Sequence, residues 1–193
     1  MSLENILLGC LEVPASGYAL KAYFDERIRP FWSAELSQIY PTLKRLESRG
    51  LLTSRTEPST KGPARKVYTR TGKGRGALLR WLSDGPQVGT ERFAYLAQVF
   101  FMDELGDVAA TRGFMIELRE QMAARLAALE KIEHQIRDTA GQPPEAFSGD
   151  GLHQFLVVRM GIHSIGAKLT WCDETIALID VRLEASRLEG ESS

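Results

Sequence analysis

Cysteine and histidine are scarce in this chain: its 193 residues include two of the first and three of the second. Cys10 and Cys172 stand far apart, each on an apolar helix face, and read as reduced core or interface thiols rather than as a disulfide framework. His134, His153 and His163 pair with no cysteine or carboxylate at ligand spacing, so no metal is expected, and no other cofactor either. No apolar run approaches the ~20 residues of a membrane-spanning helix. The opening Met1-Ser2-Leu3-Glu4-Asn5 carries no basic stretch ahead of its short apolar one, so a signal peptide is not expected and the cytoplasm is the expected location. No nucleophile, base and orienting group fall together as a catalytic set, and an enzyme is not expected. Gly72-Lys73-Gly74-Arg75-Gly76 lacks the spacing of a phosphate loop and has no Rossmann unit around it.

Net charge is also small, −1, but it is unevenly placed. Residues 1–85 hold 14 Lys+Arg against 8 Asp+Glu, a net of +6, whereas residues 86–193 have a net of −7. Only the front half is suited to meet a polyanion.

Periodicity divides the front half into short helices and a hairpin. Leu3, Ile6, Leu7, Cys10 and Leu11 share one helical face, and Val13-Pro14 ends that helix. Ser16 reads as the cap of a second helix over 17–27, with Tyr18, Leu20, Tyr23 and Phe24 inward. A third helix, capped by Ser33 or Ser37, closes at Gly50 and turns Ile39, Leu43 and Leu46 to the core. Pro41 demands either a late start or a kink in it. Two strands, 52–56 and 65–70, flank a turn-rich tip at Pro58–Pro63, and Thr71 caps a fourth helix over 72–82. Asp84-Gly85-Pro86 closes a first domain, 1–85.

The second domain, 86–193, reads as wholly helical: a short helix over 90–102, a long one from the cap Asp107 to about 138, and a last one over 152–188. Along the last, Phe155, Val158, Ile162, Ile165, Leu169, Cys172, Ile176, Ile179 and Leu183 alternate steps of three and four, the seam of a coiled coil. A lone helix leaves such a seam exposed. It is therefore expected to close a homodimer, with the helix of 107–138 as an alternative or additional partner.

Three short helices followed by a hairpin make a winged helix-turn-helix, whose third helix is expected to enter the major groove of double-stranded DNA. Its outward residues are expected to be Ser37, Gln38, Tyr40, Thr42, Lys44, Arg45 and Arg49. Gln38 matches the adenine edge, Ser37 and Thr42 reach bases or phosphates, and Lys44 and Arg45 neutralise phosphates. Lys61, Gly62, Arg65 and Lys66 give the wing a slim, basic tip suited to a backbone or minor groove. Tyr18, Trp32, Phe93 and Trp171 are candidates for a pocket taking a small aromatic effector, or simply core and interface residues. A helical interaction module without DNA binding is the competing class, and a salt-dependent shift of duplex DNA in a gel separates the two.

Residues 3–82 resemble the PadR family of transcriptional regulators. The resemblance rests on Ile6-Leu7-Leu8-Gly9, Pro14, Ser16-Gly17-Tyr18-x-Leu20 and Phe31-Trp32-Ser33. It continues through Gln38-Ile39-Tyr40-Pro41-Thr42-Leu43-Lys44-Arg45-Leu46-Glu47, Gly50-Leu51 and Arg65-Lys66-Val67-Tyr68 to Thr71-x-x-Gly74-x-x-x-Leu78-x-x-Trp81-Leu82. Ala19 and Arg70 depart from its usual acidic residue and leucine. The resemblance implies a homodimer on a pseudo-palindromic operator, usually as a repressor, with phenolic or other aromatic effectors in some members. It also accommodates Pro41 within the recognition helix. The fold class expected is mainly α: an N-terminal winged helix-turn-helix domain plus a C-terminal antiparallel, coiled-coil-like helical dimerisation domain.

Overall fold

The structure, a computed structural model, describes residues 2–28, 32–58, 64–89 and 91–191. They gather into two compact units, residues 1–89 and 90–193. In the wing tip, Lys61 and Gly62 lie outside the described residues.

The N-terminal unit begins with α1 (Ser2–Cys10), followed by a two-residue strand, β1 (Ala15–Ser16), too short to leave a periodic trace in the sequence. The Ser16 hydroxyl accepts from the Ala19 N–H at 3.2 Å and caps α2 (Gly17–Tyr23), which runs on as a widened turn over Phe24–Ile28. Only Leu20 and Phe24 of the expected apolar face are buried; Tyr18 is 74% exposed and Tyr23 44%. Helix α3 (Leu36–Ser48) is capped by Glu35, not by Ser33 or Ser37. It carries Pro41 inside it, which removes the bond residue 41 would otherwise donate to the Ser37 carbonyl. Strands β2 (Leu52–Glu57) and β3 (Arg65–Arg70) form the hairpin, with Leu52 opposite Arg70 and Glu57 opposite Arg65. β1 adds to the free edge of β3, giving the order β1-β3-β2. Thr71 caps α4 (Gly72–Ser83) by accepting from the Gly74 N–H at 3.0 Å.

Leu7, Leu8, Leu11, Leu20, Phe24, Ile39, Leu43, Leu46 and Leu52 are each at most 1% exposed and form one core. Arg70 fits where leucine is usual because its guanidinium donates to the Leu8 carbonyl at 2.9 Å, satisfying the end of α1. Cys10 packs against this core, and burial pushes its thiol up to about 12. Cys172, fully buried in the other unit, is also raised by burial. Both thiols should therefore react with Ellman's reagent far more slowly in the native protein than in denaturant. Rapid native modification would show that these helix faces open.

The C-terminal unit opens with α5 (Ala94–Phe100) and a 3-10 turn (Met102–Leu105), together shifted from the one helix expected over 90–102. The Asp107 carboxylate accepts from the Ala109 N–H at 2.8 Å and starts α6 (Val108–Ala140), which ends at Gly141 with φ 60. Helix α7 (Asp150–Glu191) returns antiparallel along it. Arg112 pairs with Asp180, Arg119 with Asp173, and Arg159 lies 3.5 Å from Glu133, so the partners run in opposite order along the two helices.

Of the two partners expected for the seam, α6 of the same chain is the one that covers it here. Phe155, Ile165, Cys172 and Ile179 are buried, and Val158, Ile162, Leu169, Ile176 and Leu183 are partly buried, within a single chain. Met115 and Leu118 of α6 pack with Cys172 and Ile179 in one cluster. The stripe is covered because α6 has an apolar stripe of its own and the loop of residues 141–149 turns α7 back along it. Helix α7 carries a second, interrupted stripe half a turn away: Leu156 and Met160 and, beyond Thr170 and Glu174, Leu178, Val181 and Leu188, each of these apolar residues more than half exposed. Among the described residues, no helix is long and apolar enough to cross a membrane.

Candidate nucleic-acid interface

Helix α3 turns Ile39, Thr42, Leu43 and Leu46 inward. Thr42, expected on the outside, is only 4% exposed: it is three residues after Ile39 and four before Leu46, and so falls in the apolar stripe. Its Oγ1 accepts from Arg45 at 3.4 Å instead of facing outward. The crest opposite the core is Ser37, Pro41, Lys44 and Ser48, all exposed and spaced i, i+4, i+7, i+11. Pro41 and Ser48 were not expected there. Continuing the helical phase from Ser37 and Lys44 would have placed them.

Two flanks border this crest. On the side of α1, Arg45 and Arg49 meet Glu4 at 2.6 and 2.8 Å. Burial works to raise the Glu4 carboxyl, yet its bonds from the two guanidiniums hold it below its ordinary value. Gln38, also on this flank, spends its carbonyl on the helix start, where Oε1 accepts from the Glu35 N–H at 3.0 Å. Its amide nitrogen remains able to donate. On the side of the wing lie Tyr40 and Glu47. Tyr40 is 45% exposed, and its ring covers Gly17 so closely that a Cβ there would come within 2.4 Å of it.

Arg65 and Lys66 are exposed on β3. Lys66 meets Glu47 at 2.7 Å and lies 5.3 Å from the centre of the Tyr68 ring. Glu47 raises the Lys66 ammonium above its ordinary value, and Lys66, with Ser54, lowers the Glu47 carboxyl. Arg65 and Arg55 both reach Glu57, at 3.4 and 2.7 Å. Lys44 has no ion-pair partner among the described residues. The structure thus brings Ser37, Tyr40 and Lys44 to an exposed helix surface, sets Gln38 and Arg45 beside it, and leaves Thr42 out.

The aromatic residues divide between the units. Phe93 and Trp171 line an open groove of about 470 Å³ in the C-terminal unit with Tyr95, Leu96, Met160 and Lys168. The Lys168 ammonium stands 4.5 Å over the Phe93 ring, and Tyr95 lies between Phe93 and Trp171 at centroid distances of 5.4 and 6.3 Å. Tyr18 and Trp32 belong to the N-terminal unit and are not among the groove's walls.

Residues 7–80 match the Transcriptional regulator PadR-like family, and residues 91–180 match Virulence activator alpha C-term. The chain is 30% identical over 180 residues to the negative transcriptional regulator PadR of Bacillus subtilis (strain 168), covering 92% of this chain and 97% of the relative. The chain belongs to the PadR family. It is a DNA-binding transcriptional regulator, and the PadR family is not one of enzymes. Bacillus subtilis PadR in complex with operator DNA superposes with a TM-score of 0.79 at 26% identity, covering 93% of this chain and 99% of that one. The same PadR in complex with p-coumaric acid superposes with a TM-score of 0.73 at 27% identity and the same coverage.

Proposed function

We propose that this PadR-family regulator is a homodimeric repressor whose two α3 helices read the half-sites of a pseudo-palindromic operator, and that a small aromatic acid releases it. The crest of α3, with the basic β3 beside it on a fold shared with an operator-bound relative, carries this reading. Each protomer supplies one helix, so the half-sites should lie about one turn, ~34 Å, apart. Ser37, Tyr40 and the free amide of Gln38 are the base-side candidates; Lys44 and Arg65 address phosphates. The second stripe of α7 supports the dimer, because a partner would cover apolar surface that is otherwise exposed. The aromatic groove supports the effector, its rings stacking a flat ligand and Lys168 meeting a carboxylate.

The test begins with an operator selected by the protein from a random duplex pool. Lys44→Ala should weaken operator and random DNA about equally and reduce the salt slope by ~0.9. Gln38→Ala should cost the helix about 1 kcal/mol in lost capping. Because that loss is common to all duplexes, only a base contact can also narrow the ratio of operator to random affinity. An unchanged ratio would confine Gln38 to the cap. p-Coumaric acid should lower operator affinity in wild type and do so less in Lys168→Ala. An equal response of the two proteins would remove the groove from the effector site.

A further inference from the structure

We propose that Glu47 is a specificity-determining residue, a carboxylate on the recognition helix that holds the wing cation Lys66 and so withholds it from non-specific DNA. The inference rests on the DNA-binding reading of the α3 and β3 surface.

A carboxylate beside a surface that meets phosphates is repulsive unless it is engaged. Glu47 stands in the last turn of α3, on the flank facing the hairpin, with its side chain 29% exposed. It accepts from Lys66 Nζ at 2.7 Å and from the Ser54 hydroxyl, so one carboxylate joins α3 to β2 and β3. The arrangement recurs across the surface. Glu4 engages Arg45 and Arg49, and Glu57 engages Arg55 and Arg65. Three carboxylates thus engage five cations that would otherwise be available to any duplex.

Non-specific affinity rises with the number of phosphates neutralised, each adding ~0.9 to the salt slope. A cation already facing a carboxylate gains little by exchanging it for a phosphate, and the carboxylate is left exposed to the backbone. At an operator, the base contacts of α3 fix one register, in which Lys66 stays on Glu47; on random DNA no register is fixed, and without Glu47 those that place Lys66 on a phosphate would be gained. Glu47 therefore lowers affinity for random DNA more than for an operator. As a partly exposed pair it adds little to stability, so its removal should leave the fold intact.

The experiment uses the full chain, a fluorescein-labelled random duplex and the selected operator, each titrated over a KCl series. Glu47→Gln keeps an acceptor for Ser54 and removes the charge. It should bind random DNA several-fold more tightly with a salt slope steeper by ~0.9, and operator DNA less improved, so that the ratio narrows. In a Lys66→Ala background the same change should leave the slope where it was. Three results would overturn the proposal: an unchanged slope in Glu47→Gln, the same slope increase without Lys66, or a fall in random affinity, which would make Glu47 a brace of the wing. A loss confined to operators with a cytosine at one position would make Glu47 a base reader instead. If wild type itself shows no salt-dependent binding to any duplex, the DNA-binding reading fails first.

Discussion

Gly74→Ala should destabilise the N-terminal unit by about 3 kcal/mol, the upper end of what overpacking costs, and abolish operator binding with it. A Cβ at this position would lie 2.1 Å from the Leu51 carbonyl oxygen and 3.2 Å from the Arg70 side chain. The first neighbour is backbone, fixed by the Leu51 carbonyl's bond from the Thr71 N–H at 3.1 Å, and cannot swing aside. Relief requires α4 to move off the hairpin, which breaks the Thr71 cap and loosens the contacts of Ala77 and Leu78 with the core. The neighbouring glycines provide the control. Gly72 has nothing within 4 Å of a built Cβ, and Gly76 only the end of Arg80 at 3.6 Å. Gly76→Ala should therefore stabilise α4 by ~0.5–1 kcal/mol, the usual gain of alanine over glycine within a helix. Urea unfolding of the two variants checks both signs. A wild-type midpoint for Gly74→Ala would mean that α4 does not pack so closely on Leu51.

The glycine-rich stretch shows what sequence reading captures and what it misses. Its spacing is enough to set aside a phosphate loop, but the close approach that requires glycine at 74 involves a residue far away in the chain. The caps Ser16, Thr71 and Asp107 are legible because each lies a fixed step from the N–H it serves. Glu35 is not, since glutamate is an uncommon cap and two serines flank it. The positions of α3 and the hairpin follow from period and turn chemistry; their ion pairs do not, because Glu4 meets Arg45 and Arg49 across more than 40 residues of chain. Polarity alone sets Thr42 outside, although its phase places it with Ile39 and Leu46. Apolarity alone sets Tyr18 and Tyr23 inside. The α7 stripe is correct as a seam, but a regular apolar step identifies a helix partner without saying whether that partner lies in the same chain.

That distinction separates two kinds of substitution on α7. Val181→Asp combined with Leu178→Asp should convert the protein to a folded monomer and weaken operator binding by about a hundredfold or more, the equivalent of ~2.7 kcal/mol. Both residues are 68% exposed within one chain, on the side of α7 opposite the stripe packed against α6. A partner that covers them gains about 1.5–3 kcal/mol for each apolar side chain removed from water. It would also have to desolvate each introduced carboxylate, at a cost of several kcal/mol more. The hairpin of α6 and α7 should survive, because Met115, Cys172 and Ile179 are untouched. Ile165→Asp, on the other stripe, is the contrasting case. Ile165 is 5% exposed, so a carboxylate there should unfold the C-terminal unit rather than dissociate a pair of folded protomers. Sedimentation equilibrium alongside circular dichroism tells the outcomes apart: the double variant should halve in mass and keep its helicity, and Ile165→Asp should lose helicity. A double variant that remains dimeric would move the interface off this face of α7, to exposed apolar residues such as Phe100, Phe101 and Leu105. A monomeric variant that kept full operator affinity would show that one recognition helix is sufficient, and would remove the paired half-sites from the proposed mode of binding.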